Sequence, residues 1–264
     1  MSHIVLIDSF CVFHAIANGA VTLGLTGREL KGYVAAQLVS VASLSWLGGL
    51  ATGEDVPVFT FDNKDVPYWR KSIYPEYKAG RERSESTISA LQICVDTLPQ
   101  LKRLVLSVPT QESDDIIAGI VRVRPENSHI TIATVDSDLI GLVVDGEVGW
   151  FSTDARWVPR HRHDLESINK WALKRHNILL EAPRDLWEFK SVEGDKSDNL
   201  PKGTDISLID LLNPPPEFDI LRDYDTVQQL RSVFSMTSTP QPQALEASEY
   251  LRKRGYPQCI KPYR

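Results

Sequence analysis

Residues 111–119 read Gln111-Glu112-Ser113-Asp114-Asp115-Ile116-Ile117-Ala118-Gly119, which places three carboxylates in four positions directly before an apolar pattern of helical spacing. The stretch therefore predicts a helix that packs on the core and carries acids in its first turn. A helix N-terminus favours each anion by about 0.3 to 1 kcal/mol. Repulsion among three carboxylates offsets that gain unless a strong positive charge lies between them. A divalent cation would supply that charge, and the alternative is an ordinary acidic N-terminal turn.

The sequence on either side of this turn alternates between strand and helix patterns. Short apolar runs predict strands at 3–7, 56–61, 104–108, 130–135 and 147–152. Periodic segments predict helices at 28–50, 86–98, 139–144, 165–176, 184–190, 224–234 and 244–254. Such alternation is typical of an α/β fold with a mostly parallel central sheet flanked by helices.

Acidic residues follow four of the predicted strands. Asp8 ends the first, Asp62 follows the second, and the acidic turn at 112–115 follows the third. Asp136 and Asp138 follow the fourth. Any one of these acids alone is explained as a turn former or helix cap. Because ligands bind at the carboxyl ends of parallel strands, the four groups together favour a metal site at that edge.

The residue types indicate which metal and which chemistry to expect. Carboxylates clustered without histidine or cysteine suit hard cations, so we expect two Mg²⁺ or Mn²⁺ ions. Two such ions about 4 Å apart can activate a water molecule and stabilise the leaving oxygen of a phosphodiester. The sequence contains no Walker A loop, no GxGxxG turn after a strand and no GxSxG turn. The pattern therefore favours hydrolysis without a covalent protein intermediate.

Length and composition narrow the remaining choices. The 264 residues, 42% of them hydrophobic, are enough for one or two domains. No long apolar run and no basic N-terminal segment occur, so we expect a cytoplasmic protein without a membrane span. Three widely spaced cysteines argue against disulfides and zinc. The net charge of -6 argues against nucleic-acid binding unless bound divalent cations offset it.

A basic and aromatic stretch follows the second predicted strand. It contains Lys64, Arg70, Lys71, Lys78, Arg81 and Arg83, interleaved with Tyr68, Trp69, Tyr74 and Tyr77. Such a combination suits a nucleic-acid backbone and unstacked bases. The alternative is a solvated loop whose aromatic side chains pack into the core. A second basic cluster at 156–163 predicts a solvated surface.

Six short motifs along the chain resemble those of a known family. They are Ile7-Asp8-Ser9, Phe61-Asp62-Asn63, Tyr74-Pro75-Glu76-Tyr77-Lys78-Ala79-Gly80-Arg81, Glu112-Ser113-Asp114-Asp115, Asp136-Ser137-Asp138-Leu139 and Gly194-Asp195-Lys196-Ser197-Asp198-Asn199-Leu200-Pro201. In this order they resemble the motifs of phage and bacterial 5′-3′ exonucleases. These are the flap endonuclease relatives that include the 5′-nuclease domain of bacterial DNA polymerase I.

The resemblance implies a PIN-like nuclease domain at 1–180 and a helical DNA-binding region at 181–264, of a degenerate helix-hairpin-helix type. It implies one metal held by Asp8, Asp62, Glu112 and Asp114. It implies a second metal held by Asp114 or Asp115 with Asp136, Asp138, Asp195 and Asp198. Lys78 would contact the scissile phosphate with help from Arg81, and Tyr77 would stack on a base. Further DNA contacts are expected from Lys64, Arg70, Lys71, Arg83, Lys196 and Lys202.

The activity implied is divalent-metal-dependent cleavage of DNA at 5′ ends, flaps or branch points by a monomer. A PIN-type ribonuclease and a non-catalytic DNA-binding accessory protein are the alternatives. The 194–201 loop and the basic stretch argue against the first, and the complete set of acids argues against the second. Two positions depart from the family pattern: His14 stands where relatives often carry arginine, and 202–206 keeps one glycine of a glycine-rich turn.

Overall fold

A six-stranded sheet forms the centre of the residues that the computed structural model describes, namely 3–44, 55–62, 67–80, 83–124, 128–153, 159–202 and 232. Its strands are β1 (His3–Asp8), β2 (Val56–Phe61), β3 (Leu104–Ser107), β4 (His129–Ala133), β5 (Val148–Thr153) and β6 (Pro159–Arg162). The spatial order is β3-β2-β1-β4-β5-β6, with β1 to β5 parallel and β6 antiparallel to β5. The prediction of a mostly parallel sheet is confirmed.

The register of the strands aligns their carboxyl ends. Asp8 at the end of β1 pairs with Thr60 of β2, and Ile7 pairs with Ala133 of β4. The loops that follow β1, β2 and β4 therefore leave the sheet side by side. The acids in those loops are placed at one edge, as the sequence predicts.

Seven α-helices surround the sheet in the described residues: α1 (Ser9–Thr22), α2 (Gly27–Ala42), α3 (Arg70–Ile73), α4 (Glu85–Thr97), α5 (Ser113–Arg122), α6 (Leu165–His176) and α7 (Asp185–Glu193). Short 3-10 helices occur at Leu98–Leu101, Ser137–Leu142 and Lys196–Asp198. Among these helices, none has the length and apolar composition that crossing a bilayer requires.

The predicted and observed elements differ in several places, among them α3, which was not predicted, and α2, which ends at Ala42. Helix α1, which the sequence analysis missed, begins directly after β1 because Asp8 caps it and accepts a hydrogen bond from the Cys11 amide. The helix predicted at 139–144 is a 3-10 helix that starts earlier, at Ser137, because the Asp136 carboxylate caps it. The basic residues at 159–162 form the antiparallel edge strand β6. The helices predicted beyond residue 202, and residues 45–50 of the helix predicted at 28–50, lie outside the described residues.

The two faces of the sheet pack two separate cores. Alternate residues of β1 point to opposite faces, so that Val5 and Ile7 join the core with α1, α2 and α4. Ile4 and Leu6 join the second core, with α5, α6 and α7. Leu186 and Trp187 of α7 belong to this second core although they follow the predicted boundary at 180. The separate C-terminal region stays a prediction for the residues beyond 202.

Helix α7 packs on the 3-10 helix Ser137–Leu142 through a contact that leaves no room for a larger side chain. A Cβ atom added at Gly141 would lie 2.5 Å from Cε2 of Trp187. The Trp187 indole N–H donates to the Asp138 carbonyl oxygen at 2.8 Å, so the ring has a hydrogen bond to lose if it moves.

We expect Gly141→Ala to lower the free energy of unfolding by about 1 to 3 kcal/mol, the usual cost of overpacking. Gly32→Ala, in an exposed position of α2 with nothing within 4 Å of the added Cβ, is the matched control. That change should leave stability unchanged or raise it by up to about 1 kcal/mol, because alanine favours helix. Urea unfolding of both variants measures the difference. Equal stability of the two would contradict the assigned contact.

Candidate active site

Eight of the nine carboxylates predicted as metal ligands line one cleft of about 350 Å³. It opens at the sheet edge where β1, β2 and β4 end. The eight are Asp8, Asp62, Glu112, Asp114, Asp136, Asp138, Asp195 and Asp198. The cations Lys78, Arg83 and Lys190 line the same cleft. The predicted gathering of acids from separate segments is therefore present in the structure.

Asp8 is held at the end of β1 by hydrogen bonds from two directions. Its Oδ1 accepts from the Cys11 amide at 3.4 Å, and its Oδ2 accepts from the Thr134 hydroxyl at 3.0 Å. Burial and the nearby Asp62 raise the pKa of Asp8 to about 6. A carboxylate with this much repulsion around it gains from a cation in the cleft.

Asp62 is tied to the start of α5. Its Oδ1 accepts from the Ser113 backbone N–H at 2.9 Å. The Ser113 hydroxyl in turn lies 2.6 Å from the hydroxyl of Thr60, one strand position before Phe61. The end of β2 and the acidic turn are thereby fixed relative to each other.

A second group of acids surrounds Lys190 of α7. Its ammonium donates to the carboxylate of Asp138 and, at 3.0 Å, to Oδ2 of Asp195. Burial and the neighbouring Asp136 raise the pKa of Asp138 to about 7 despite that ammonium. Burial alone would raise the pKa of Asp195, but Lys190 and the Ser197 hydrogen bonds hold it below its ordinary value. Lys190 thus links the acids after β4 to the 194–201 loop.

In the acidic turn, the structure corrects the role expected of Arg70. This side chain is 2% exposed, so it does not reach DNA as predicted. Its guanidinium donates to Oε2 of Glu112 and to both carboxylate oxygens of Asp115, each at 2.7 Å. One carboxylate oxygen from each of Glu112, Asp114 and Asp115 lies within 4.8 Å of the others. Arg70 supplies positive charge that offsets the repulsion among them.

The same contacts engage Asp115, whose carboxylate lies with those of Glu112 and Asp114 in a group that could hold a metal ion, so its role as a ligand stays a prediction. Asp115 is fully buried, and it does not line the cleft. Besides Arg70, it accepts hydrogen bonds from the Trp69 indole at 2.9 Å and the Glu112 amide at 3.1 Å. Between the two candidates Asp114 and Asp115, Asp114 is the one that faces the cleft.

Lys78 joins the basic stretch to the cleft. Its ammonium donates to Oε1 of Glu112 at 2.5 Å, and its backbone N–H donates to the Asp198 carbonyl at 2.8 Å. Burial alone would raise the pKa of Glu112, but Arg70 and Lys78 outweigh burial and hold it below its ordinary value. Lys78 itself has a φ of 56°, in the left-handed region.

Tyr77, expected to stack on a base, is instead 2% exposed and belongs to the core beside α5. Tyr68 and Tyr74 pack against the same core, so the aromatic part of the basic stretch follows the alternative in which these rings are structural. The turn at 74–80 is joined to the 194–201 loop by two hydrogen bonds: the Lys78 amide donates to the Asp198 carbonyl at 2.8 Å, and the Asn199 side chain donates to the Glu76 carbonyl at 3.0 Å.

The other predicted DNA contacts differ in whether they line the cleft. Lys71, Lys196 and Lys202 are exposed and do not line it. Arg83 does line it. Lys64 and Arg81 lie outside the described residues.

The sequence analysis missed Lys190, Cys11 and Thr134, and it noted His14 only as a departure from the family pattern. His14 and Cys11 line the cleft from α1, and Thr134 orients Asp8. A signal for Lys190 was available: a lysine at the buried end of a helix, five residues before Asp195, requires an acidic partner.

Comparisons with known proteins agree with this arrangement. The model of the family described as "5'-3' exonuclease, N-terminal resolvase-like domain" matches residues 5–170. A 5'-3' exonuclease of Mycoplasma pneumoniae is 26% identical over 186 residues, which are 70% of this chain and 59% of that protein. The thermostable DNA polymerase I of Thermus aquaticus is 25% identical over 195 residues, 73% of this chain and 21% of the polymerase. The match thus spans less than two thirds of either relative.

Among solved structures, the flap endonuclease of bacteriophage T5, in a complex with DNA and metal ions, superposes with a TM-score of 0.62 at 15% identity. The superposition covers 98% of this chain and 96% of that one. A second T5 structure, crystallised with metal ions, gives a TM-score of 0.60 at 15% identity over 95% and 94% of the two chains. This likeness shows a shared PIN-like α/β fold. Since the family model covers more than half of the sequence and most of the acids of the cleft, the chain belongs to the 5'-3' exonuclease family with the N-terminal resolvase-like domain.

Proposed function

We propose that the chain hydrolyses DNA phosphodiester bonds as a divalent-metal-dependent 5′-3′ exonuclease and structure-specific 5′-flap endonuclease. One observation carries the proposal: eight carboxylates from five separate segments line one cleft together with Lys78 and Arg83. Acids of this number suit metal-assisted hydrolysis, and cations at the same cleft suit a phosphate substrate. Membership of the exonuclease family supports the same reaction.

The donor atoms of the cleft fit two hard divalent cations, Mg²⁺ or Mn²⁺, because most of them are carboxylate oxygens. Asp8, Asp62, Glu112 and Asp114 would hold one ion. Asp136, Asp138, Asp195 and Asp198 would hold the other. When bound, such ions lower the pKa of a water molecule and stabilise charge on the phosphate oxygens.

The chain's own residues prepare this cleft for a phosphate. Thr134 and the Cys11 amide orient Asp8, and Ser113 orients Asp62. Lys190 lies between Asp138 and Asp195 and offsets part of their repulsion. Lys78 presents its ammonium at the cleft, where it stabilises negative charge that grows on the scissile phosphate.

DNA bound beyond the reacting phosphate would contact exposed lysines around the cleft. Lys71, Lys196 and Lys202 are exposed, and we retain Lys64 and Arg81 from the sequence. Such contacts to the backbone give affinity that depends on salt and little on base sequence. We propose that the protein acts as a monomer in the cytoplasm.

The first test compares substrates in the presence and absence of metal. We expect purified protein to cleave a 5′-flap DNA in Mg²⁺ and to lose this activity in excess EDTA. Without a divalent cation the acids of the cleft can neither activate water nor stabilise charge on the phosphate. Blunt duplex DNA and single-stranded RNA are assayed in parallel. Cleavage of RNA alone would indicate the ribonuclease alternative, and metal-dependent binding of DNA without any cleavage would indicate an accessory protein.

Asp62→Asn and Asp136→Asn test the two groups of acids separately. Each should lower the cleavage rate roughly 100-fold or more, because loss of a carboxylate ligand would displace the ion that activates the water and neutralises developing charge. DNA affinity should persist, since it comes mainly from basic contacts. The matched control is Asp145→Asn, at an exposed turn away from the cleft, which should cleave as the wild type does. Near-normal turnover of either cleft variant at saturating Mg²⁺ would refute the assignment.

Lys78→Ala should slow the chemical step more than it weakens DNA binding. A positioned ammonium stabilises charge that is larger in the transition state than in the ground state. Single-turnover kinetics at saturating DNA separate the two effects. Lys31→Ala, on the exposed surface of α2, serves as the control. Weaker affinity with an unchanged single-turnover rate would reduce Lys78 to a general phosphate contact.

A further inference from the structure

We propose that Arg70 is a positioning residue for the metal-dependent reaction: its buried guanidinium holds Asp115 inside the protein and thereby fixes Glu112 and Asp114 at the cleft. This inference rests on the proposed function. It assigns Arg70 to the acidic turn, away from DNA, and it gives Asp115 a role in the protein interior.

The guanidinium makes contacts with all three acids of the turn. Two parallel hydrogen bonds of 2.7 Å join Nη1 and Nη2 to the two carboxylate oxygens of Asp115. Nη1 also donates to Oε2 of Glu112 at 2.7 Å, and Nη2 lies 3.4 Å from Oδ2 of Asp114. Paired hydrogen bonds of this kind fix the direction of both partners, which a single ammonium contact does not.

Burial separates the three acids into two kinds. Asp115 is fully buried and its carboxylate also accepts from the Trp69 indole. The side chain of Asp114 is 16% exposed and lines the cleft. Glu112 lies between them, with Oε2 on Arg70 and Oε1 on Lys78, which also lines the cleft. Arg70 therefore determines which carboxylates of the turn are presented to the cleft.

The surroundings of Arg70 show that this arrangement is built into the fold. Its side chain is 2% exposed, and its guanidinium carbon lies 4.7 Å from the centre of the Trp69 ring. Arg70 begins the short helix α3. The backbone N–H of Trp69, the preceding residue, donates to the carbonyl of Thr110, just before the acidic turn, at 3.0 Å. The backbone of the two segments is thus joined beside the ion pairs.

Arg70→Lys keeps the charge and removes the forked geometry, so it is the informative substitution. Partners that orient a metal ligand typically contribute about 10- to 100-fold in metal affinity or activity. We expect Mn²⁺ to bind Arg70→Lys about 10- to 100-fold more weakly, measured by titration calorimetry and by the electron paramagnetic resonance of free Mn²⁺. The single-turnover cleavage rate should fall, while DNA affinity without divalent metal stays unchanged because Arg70 is buried.

Controls separate positioning from a loss of folding. Arg28→Lys, on the exposed surface of α2, should match the wild type in every measurement. Unfolding in urea establishes that each variant is folded at the assay temperature. Trp69→Phe removes the indole hydrogen bond to Asp115 and keeps a smaller aromatic ring beside Arg70, so it should weaken Mn²⁺ binding by less than Arg70→Lys does. This variant carries the test if Arg70→Lys does not fold.

Two outcomes would overturn the inference. One is folded Arg70→Lys with the Mn²⁺ affinity of the wild type. The other, if that variant does not fold, is folded Trp69→Phe with the Mn²⁺ affinity of the wild type. A wild-type protein that binds Mn²⁺ but cleaves no DNA would instead contradict the proposed function, and the effect of Arg70 on Mn²⁺ affinity would still be measured. The two failures are therefore distinguishable.

Discussion

Electrostatic repulsion among carboxylates is the constraint on which the rest of this structure depends. Eight acids share one cleft, and several of them are buried. Their charges are tolerated because cations of the chain lie among them: Arg70 beneath the acidic turn, Lys78 at Glu112, and Lys190 between Asp138 and Asp195. The cations are placed by α3, α7 and the turn at 74–80, which pack on the core that contains α5. The charge balance of the cleft therefore depends on the correct packing of these helices and turns.

The parallel sheet explains why acids so far apart in sequence meet. Neighbouring parallel strands end at the same edge, so one acid after each strand suffices to build a cluster. The order β3-β2-β1-β4 places β1 at the middle of the set, which makes Asp8 the common neighbour of the acids after β2 and β4. Helices on both faces close the cores and leave this edge open to substrate.

Most features that local sequence determines were predicted correctly. Roles that depend on a partner distant in sequence were not. Strands β1 to β5 and helix α5 were predicted because their apolar periodicity is local, and Asp8, Asp62 and Asp136 because each follows a strand. Arg70 and Tyr77 were misassigned because a basic, aromatic stretch looks the same whether it faces DNA or the core. Asp115 differs from Asp114 by one position of a helix, and its inward position shows only in its tertiary contacts with Arg70 and the Trp69 indole. Lys190 was missed for the same reason, since its partner Asp138 lies 52 residues earlier in the sequence.

The hydrogen bond from the Lys78 amide to the Asp198 carbonyl joins a turn and a loop that are 120 residues apart in sequence. The region covered by the family model ends at residue 170, before Lys190, Asp195 and Asp198. A fragment that keeps the whole cleft must therefore include the segment through residue 200 together with the sheet. A boundary drawn at the end of the family model would divide the cleft and leave Asp138 without Lys190.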